Sequence, residues 1–157
     1  MDTWTLAKLK QQLIRHEGLR KTAYRCTAGK LTIGYGHNLD DNGIPAWLKG
    51  RDLVGVGITQ EEAQRFLDED IAACVAQLNE RIPVLYSQLD SARRAVLVNM
   101  AFNIGIEGLL KFKNTLAHLA SGEFDKAADG MLASKWAKQV GKRAIDLSQQ
   151  MRKGVWQ

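Results

Sequence analysis

Three residues near the N-terminus have types and spacing suited to cleaving a bond by proton transfer. They are Glu17, Cys26 nine positions later, and Thr32 six beyond that. Glu17 lies four residues after Leu13 and three after Ile14, so it continues the apolar face of a helix predicted over about Trp4 to His16 and stopped by Gly18. At a helix C-terminus, partial desolvation and the negative end of the dipole both favour the protonated carboxyl. That is the state a general acid needs near neutral pH. On position alone, a surface glutamate at a fraying helix end is the better reading. Cys26 is expected at a strand end where a turn begins. A thiol with a pKa of about 8.5 is only a few per cent ionised at pH 7. Three roles are open to it: thiolate nucleophile, base, or a small group beside a water held by the Thr32 hydroxyl. The plainer readings are a small buried hydrophobe for Cys26 and an ordinary strand residue for Thr32.

The elements that must position these groups are legible in outline. Tyr24 to Leu39 mixes aromatic and β-branched residues with Gly29, Gly34 and Gly36, which predicts a hairpin or small sheet. Residues 41–58 read as loop-rich, with a short helix around Ala46. Thr59 and Glu62 have the spacing of a capping box. Behind them Ala63, Phe66, Leu67, Ile71, Cys74, Val75 and Leu78 form one apolar stripe, giving a helix to about Asn79, ~30 Å long. Asp70 intrudes on that stripe, and a carboxylate there needs a partner. Further helices are predicted near 91–103, behind an Asp90 cap, and near 107–112, 114–120, 125–134 and 142–153. Ala95 to Phe102 is apolar nearly all round, as in a buried central helix.

Composition removes whole classes. The 157 residues are 45% hydrophobic and 25% charged, ordinary globular usage that excludes disordered and low-complexity chains. No apolar run approaches a membrane span. Met1-Asp2-Thr3-Trp4 lacks the basic start and apolar stretch of a signal peptide, so synthesis in a cytoplasm without an export address is expected. Two cysteines do not make a disulfide scaffold, and with three scattered histidines and no CxxC or HExxH motif, no metal site or cofactor is expected. The net charge of +5 is concentrated in Ser134–Gln157, where six Lys/Arg face one acid, Asp146. A basic segment suits a polyanionic partner or is simply a solvated helix face.

The spacing E-x8-C-x5-T, followed by Thr32-Ile-Gly-Tyr-Gly-His37, resembles the phage-type lysozymes. Ile58-Thr-Gln-Glu-Glu-Ala63, Asp90-Ser-Ala-Arg-Arg-Ala95, Asn99-Met-Ala-Phe-Asn103, Phe112-Lys-Asn-Thr115, Ser134-Lys-Trp136 and Gly154-Val-Trp156 extend the likeness over nearly the whole chain, apart from roughly 41–57. The resemblance implies a mainly helical α+β, lysozyme-like fold. It has a small β-containing N-terminal lobe (about 14–58), a linking helix (59–80) and a helical lobe (81–157 with 1–13). It implies a muramidase cutting the β-1,4 bond between MurNAc and GlcNAc of peptidoglycan, with Glu17, Cys26 and Thr32 catalytic. The second carboxylate of a two-carboxylate glycosidase is replaced here by a thiol. The resemblance also implies a His37–Asp70 ion pair and an arginine, Arg143, near the catalytic glutamate. Phe102, Asn103, Thr115, Asn38 and Gly130 stand at its sugar-binding positions, with Asn38 in place of an apolar residue and Gly130 in place of an asparagine. Trp136 reads as packed core rather than a stacking platform.

The role implied is a phage endolysin, monomeric, without nucleic acid or stable membrane insertion. It would be held in the host cytoplasm until a holin-type permeabiliser admits it to the wall. Two other readings compete. A lytic transglycosylase needs only one acidic residue and leaves an anhydro ring. A basic helix over 142–153, with Ala144, Leu147 and Met151 on one face, suits membrane disruption.

Overall fold

The computed structural model describes residues 1–157. The chain forms α1 (Thr3–Glu17), strands β1 (Arg20–Arg25), β2 (Leu31–Gly34) and β3 (His37–Asn38), then α2 (Leu39–Asn42), a 3-10 turn at Ala46–Leu48, and α3 (Gln60–Arg81). Six more helices follow: α4 (Pro83–Gln88), α5 (Ser91–Leu110), α6 (Lys113–Ala120), α7 (Phe124–Leu132), α8 (Lys135–Val140) and α9 (Lys142–Lys153). This is the mainly helical α+β, lysozyme-like architecture expected from the sequence, with one small antiparallel sheet in the order β1-β2-β3. No single helix is long and apolar enough to cross a membrane.

The chain divides into two compact units, residues 7–72 and residues 1–6 with 73–157. The smaller unit is built on the sheet. Tyr24 pairs with Thr32, and Thr32 with Asn38, while Ile33 pairs with His37. Directly opposed residues share a face, so Tyr24, Thr32 and Asn38 lie on one side and Ile33 and His37 on the other. The second side is the core side: Ile33 and His37 are buried with Leu9, Leu13, Leu48, Phe66, Leu67 and Ile71. The His37 ring lies 4.1 Å from that of Phe66, whose other ring neighbour is Trp47 at 4.9 Å. Arg65 covers the Trp47 ring at 4.2 Å. The start of α3 is fixed as its residues predict. Thr59 N–H donates to Glu62 Oε1 (2.9 Å) and Glu62 N–H donates to Thr59 Oγ1 (3.1 Å), a reciprocal capping box.

The larger unit has α5 as its most buried helix, with Ala95, Val96, Leu97, Val98, Asn99, Met100 and Ala101 all inside. The Asp90 carboxylate caps it by accepting from Arg93 N–H (3.1 Å). Gly105 breaks its helical geometry (φ 77°, ψ 162°), which separates the stretch predicted at 91–103 from the one predicted near 107–112. The amphipathic face of α9 is turned inward. Ala144, Leu147 and Met151 are at most 1% exposed, and Gln150 donates to the carbonyl of Ala92 (2.8 Å). Arg152 pairs with Asp129 (2.6 Å) and Asp125 (3.5 Å) of α7. The expectation that this helix offers those apolar residues to a membrane is therefore corrected, because they are interior in the native fold.

Candidate active site

Glu17 is the last residue of α1, and Gly18, with φ of 70°, reverses the chain into β1. The carboxyl is half-buried against the backbone of the β2–β3 turn. A Cβ at Gly36 would stand 2.5 Å from Glu17 Oε2 and 2.8 Å from its Cδ. Gly36 also has φ of 73°, a conformation that L side chains rarely adopt. Both facts require glycine at this position, so the turn is shaped to the acid's side chain.

Cys26 directly follows β1, two residues beyond Tyr24, and strand alternation carries it onto the face that bears Tyr24 and Thr32. The turn after it is tight: Cys26 N–H donates to Lys30 O (2.9 Å) and Gly29 N–H donates to Cys26 O (2.8 Å). Partial burial pushes the thiol's pKa up. The N–H groups of Lys30 and Ala28, the Thr32 hydroxyl and the residue's own N–H outweigh that burial and hold the thiol below its ordinary value. Thr32 is buried, and its hydroxyl donates to Lys30 O at 3.0 Å. A hydroxyl has one proton, so it serves either that carbonyl or the sulfur at any moment. Tyr24 adds a group that residue spacing did not single out. The Arg20 guanidinium lies 4.3 Å over its ring. Burial raises the tyrosine pKa, and the charges of Glu17 and Cys26 raise it further against the opposing effect of Arg20. Its signal in the sequence was position alone, two residues before Cys26.

His37 and Asp70 meet as expected, with Nδ1 2.8 Å from Oδ2 and 3.0 Å from Oδ1. The pair joins β3 to α3 on the core side of the sheet. Asn38 sits differently. Its Oδ1 accepts from Asp41 N–H (2.9 Å) and its Nδ2 donates to Asp41 Oδ2 (2.8 Å), so its amide serves the cap of α2.

The remaining candidates belong to the larger unit. Phe102 and Asn103 lie on α5, partly exposed, and Asn103 Oδ1 accepts from Trp136 Nε1 (2.7 Å). Trp136 is buried, edge-on to Phe112 at 6.0 Å, as its core reading requires. Thr115 and Gly130 are brought together: a Cβ at Gly130 would stand 2.8 Å from Thr115 Oγ1. Arg143 is buried, and its Nε and Nη2 donate to Asn99 Oδ1 at 3.0 and 2.8 Å. No cluster of three or more His, Cys, Asp or Glu side chains is arranged to hold a metal.

Glu17 thus closes α1 against the turn of a small sheet that bears Thr32 and whose first strand leads into Cys26, all within a mainly helical α+β chain. Comparison with known proteins gives the family. The phage lysozyme family model matches residues 14–153, and the chain belongs to that family. An endolysin of Acyrthosiphon pisum secondary endosymbiont phage 1 is 37% identical over 131 residues, covering 82% of this chain and 78% of its own. Probable T4-type lysozyme 2 of Dictyostelium discoideum is 28% identical over 153 residues, covering 88% and 90%. The pre-baseplate central spike protein of Enterobacteria phage T4 is 30% identical over 149 residues. Those residues are 87% of this chain and 26% of the spike protein. The protein is a glycoside hydrolase of the lysozyme, or muramidase, type.

Proposed function

We propose that this protein is a phage endolysin that hydrolyses the MurNAc–GlcNAc β-1,4 bond of peptidoglycan, with Glu17 as general acid. The observation that carries the reading is the fit of the Glu17 carboxyl to the Gly36 turn, on the small sheet that bears Thr32 and whose first strand leads into Cys26. In this reaction Glu17 gives its proton to the glycosidic oxygen as the bond from that oxygen to C1 of MurNAc breaks. Charge develops on the ring, and a nucleophile must meet it. Cys26 and Thr32 supply that assistance. The N–H groups around the sulfur favour thiolate, which either attacks C1 or takes a proton from a water held by the Thr32 hydroxyl. Phe102, Asn103, Thr115, Gly130 and Asn38 are the proposed glycan contacts.

In the host the enzyme is held in the cytoplasm and reaches the wall when a holin-type partner opens the membrane. It acts as a monomer. The test is substitution on purified peptidoglycan. Glu17→Gln keeps the shape of the side chain and removes the transferable proton, so glycan cleavage should fall by at least about 100-fold. Cys26→Ala should lower it strongly, and Cys26→Asp should retain much of it. Substantial turnover by a folded Glu17→Gln protein would refute the assignment of the acid.

A further inference from the structure

The turn that carries Cys26 is gripped from outside by α2, the four-residue helix that follows β3. Asp40 Oδ2 accepts from Leu31 N–H (2.9 Å), at the first residue of β2, and lies 3.5 Å from Arg25 Nη1, at the last residue of β1. The same Arg25 nitrogen donates to Gly29 O (3.0 Å), inside the turn. Asp41 Oδ1 pairs with Lys30 Nζ (3.1 Å), and Asp41 is itself held by the Asn38 amide through two bonds. Two consecutive carboxylates thus hold Arg25, Lys30 and Leu31, the residues on either side of the turn that carries Cys26. We propose that Asp40, supported by Asp41, is a positioning residue for Cys26, a clasp that keeps the 26–30 turn closed around it.

The inference rests on the reading of Cys26 as a working group of the site. Its physical content is separate. A carboxylate accepting a backbone N–H is one of the stronger hydrogen bonds a surface residue makes, whereas the exposed ion pairs beside it contribute little alone. The Leu31 N–H bond is therefore the part expected to matter. The titratable and charged groups about the sulfur are the neutral phenol of Tyr24 on β1 and Lys30 in the turn, with Arg25, Asp40 and Asp41 around them.

The sign of the effect separates a clasp from a mere neighbouring charge. Removing a nearby negative charge makes a thiol more acidic, whereas loosening the turn whose N–H groups hold this thiol below its ordinary value makes it less acidic. The experiment is alkylation of the intact protein by iodoacetamide across pH, read at the Cys26 peptide by mass spectrometry. In Asp40→Ala the midpoint should move up by about half to one pH unit, slowing alkylation at pH 7 by about 3- to 10-fold. In Asp40→Asn the amide oxygen still accepts the Leu31 N–H, and the rate should stay within about twofold of the parent. Glycan cleavage by Asp40→Ala should fall in kcat with KM little changed. An unchanged midpoint in Asp40→Ala, or a lower one in both variants, overturns the clasp. A parent that cleaves no glycan, or a fully active Cys26→Ala, overturns the functional reading instead and leaves the thiol profile to decide the clasp.

Discussion

Gly36 is the residue whose replacement most sharply tests the fit of the acid. Alanine there must adopt a positive φ and place its methyl within 2.5 Å of Glu17 Oε2. Backbone strain of about 1–3 kcal/mol adds to displacement of the carboxyl. Gly36→Ala is expected to lose most glycan cleavage and about 1–3 kcal/mol of unfolding free energy, measured by turnover and by denaturant titration. Gly50, with φ of 85° and a Cβ that would meet nothing within 4 Å, is the control: Gly50→Ala adds only the backbone term and should keep the acid working. Cys26 supplies the pH prediction. Its thiol is held below its ordinary value, so the thiolate fraction grows as pH rises through that lowered value. If the thiolate works in the reaction, activity on the acidic side rises along that limb, and Cys26→Asp moves the limb down into the carboxylate range, about pH 4. A Cys26→Asp pH profile superposable on the parent's would show that Cys26 does not titrate in the reaction.

At the scale of elements, the sequence was most readable where periodicity and capping agreed. Thr59 and Glu62 predicted the start of α3, and both hydrogen bonds are present. Thr59→Ala should cost about 1 kcal/mol, read by thermal or denaturant unfolding. Glu62 also carries a pH dependence. Its carboxyl is held below the ordinary value by the Thr59 N–H and by Arg51. The stabilisation it gives is thus present above the ordinary carboxylate pKa and is lost as pH falls through the lowered one. Glu62→Gln should flatten that acid limb. The Asp70 carboxylate was readable too, because a charge on an apolar stripe needs a partner, and His37 supplies it.

What escaped prediction has physical causes. β1 begins at Arg20, four residues earlier than the hairpin texture suggests, because its side chains are largely exposed and carry no alternation. The helix Leu39–Asn42 is too short for a periodic signal and is set by the Asn38 cap. In α8 the Ser134 cap is plain, but six residues give no stripe to read. Among the candidate site residues, the Glu17, Cys26 and Thr32 spacing was legible, whereas the bond of Asp40 to the Leu31 N–H beside the Cys26 turn is a tertiary contact with no sequence period.

Over the whole molecule, charge and family point the same way. The net charge of +5 is not spread evenly, and part of the basic C-terminal segment is spent internally. Arg143 serves Asn99, and Arg152 serves Asp125 and Asp129. The exposed Lys135, Lys138 and Lys142 are left as the outward cations of α8 and the start of α9. Long-range attraction to an anionic wall should therefore be modest and should weaken with salt, since the screening length falls from about 10 Å at 0.1 M to about 3 Å at 1 M. Lysis rates on whole walls are expected to drop over that range, while cleavage of short uncharged glycan fragments changes little. Equal salt dependence on both substrates would assign the effect to the enzyme itself rather than to steering.

The central claim is hydrolysis of one bond type by water with Glu17 as acid, and mass spectrometry of the soluble products from purified peptidoglycan tests it most directly. Digestion in isotope-labelled water should give fragments ending in intact reducing MurNAc that carry the label, and Glu17→Gln should release none of them. Anhydro-MurNAc ends without label would contradict the account, identifying a transglycosylase and removing Cys26 and Thr32 from any part in activating water.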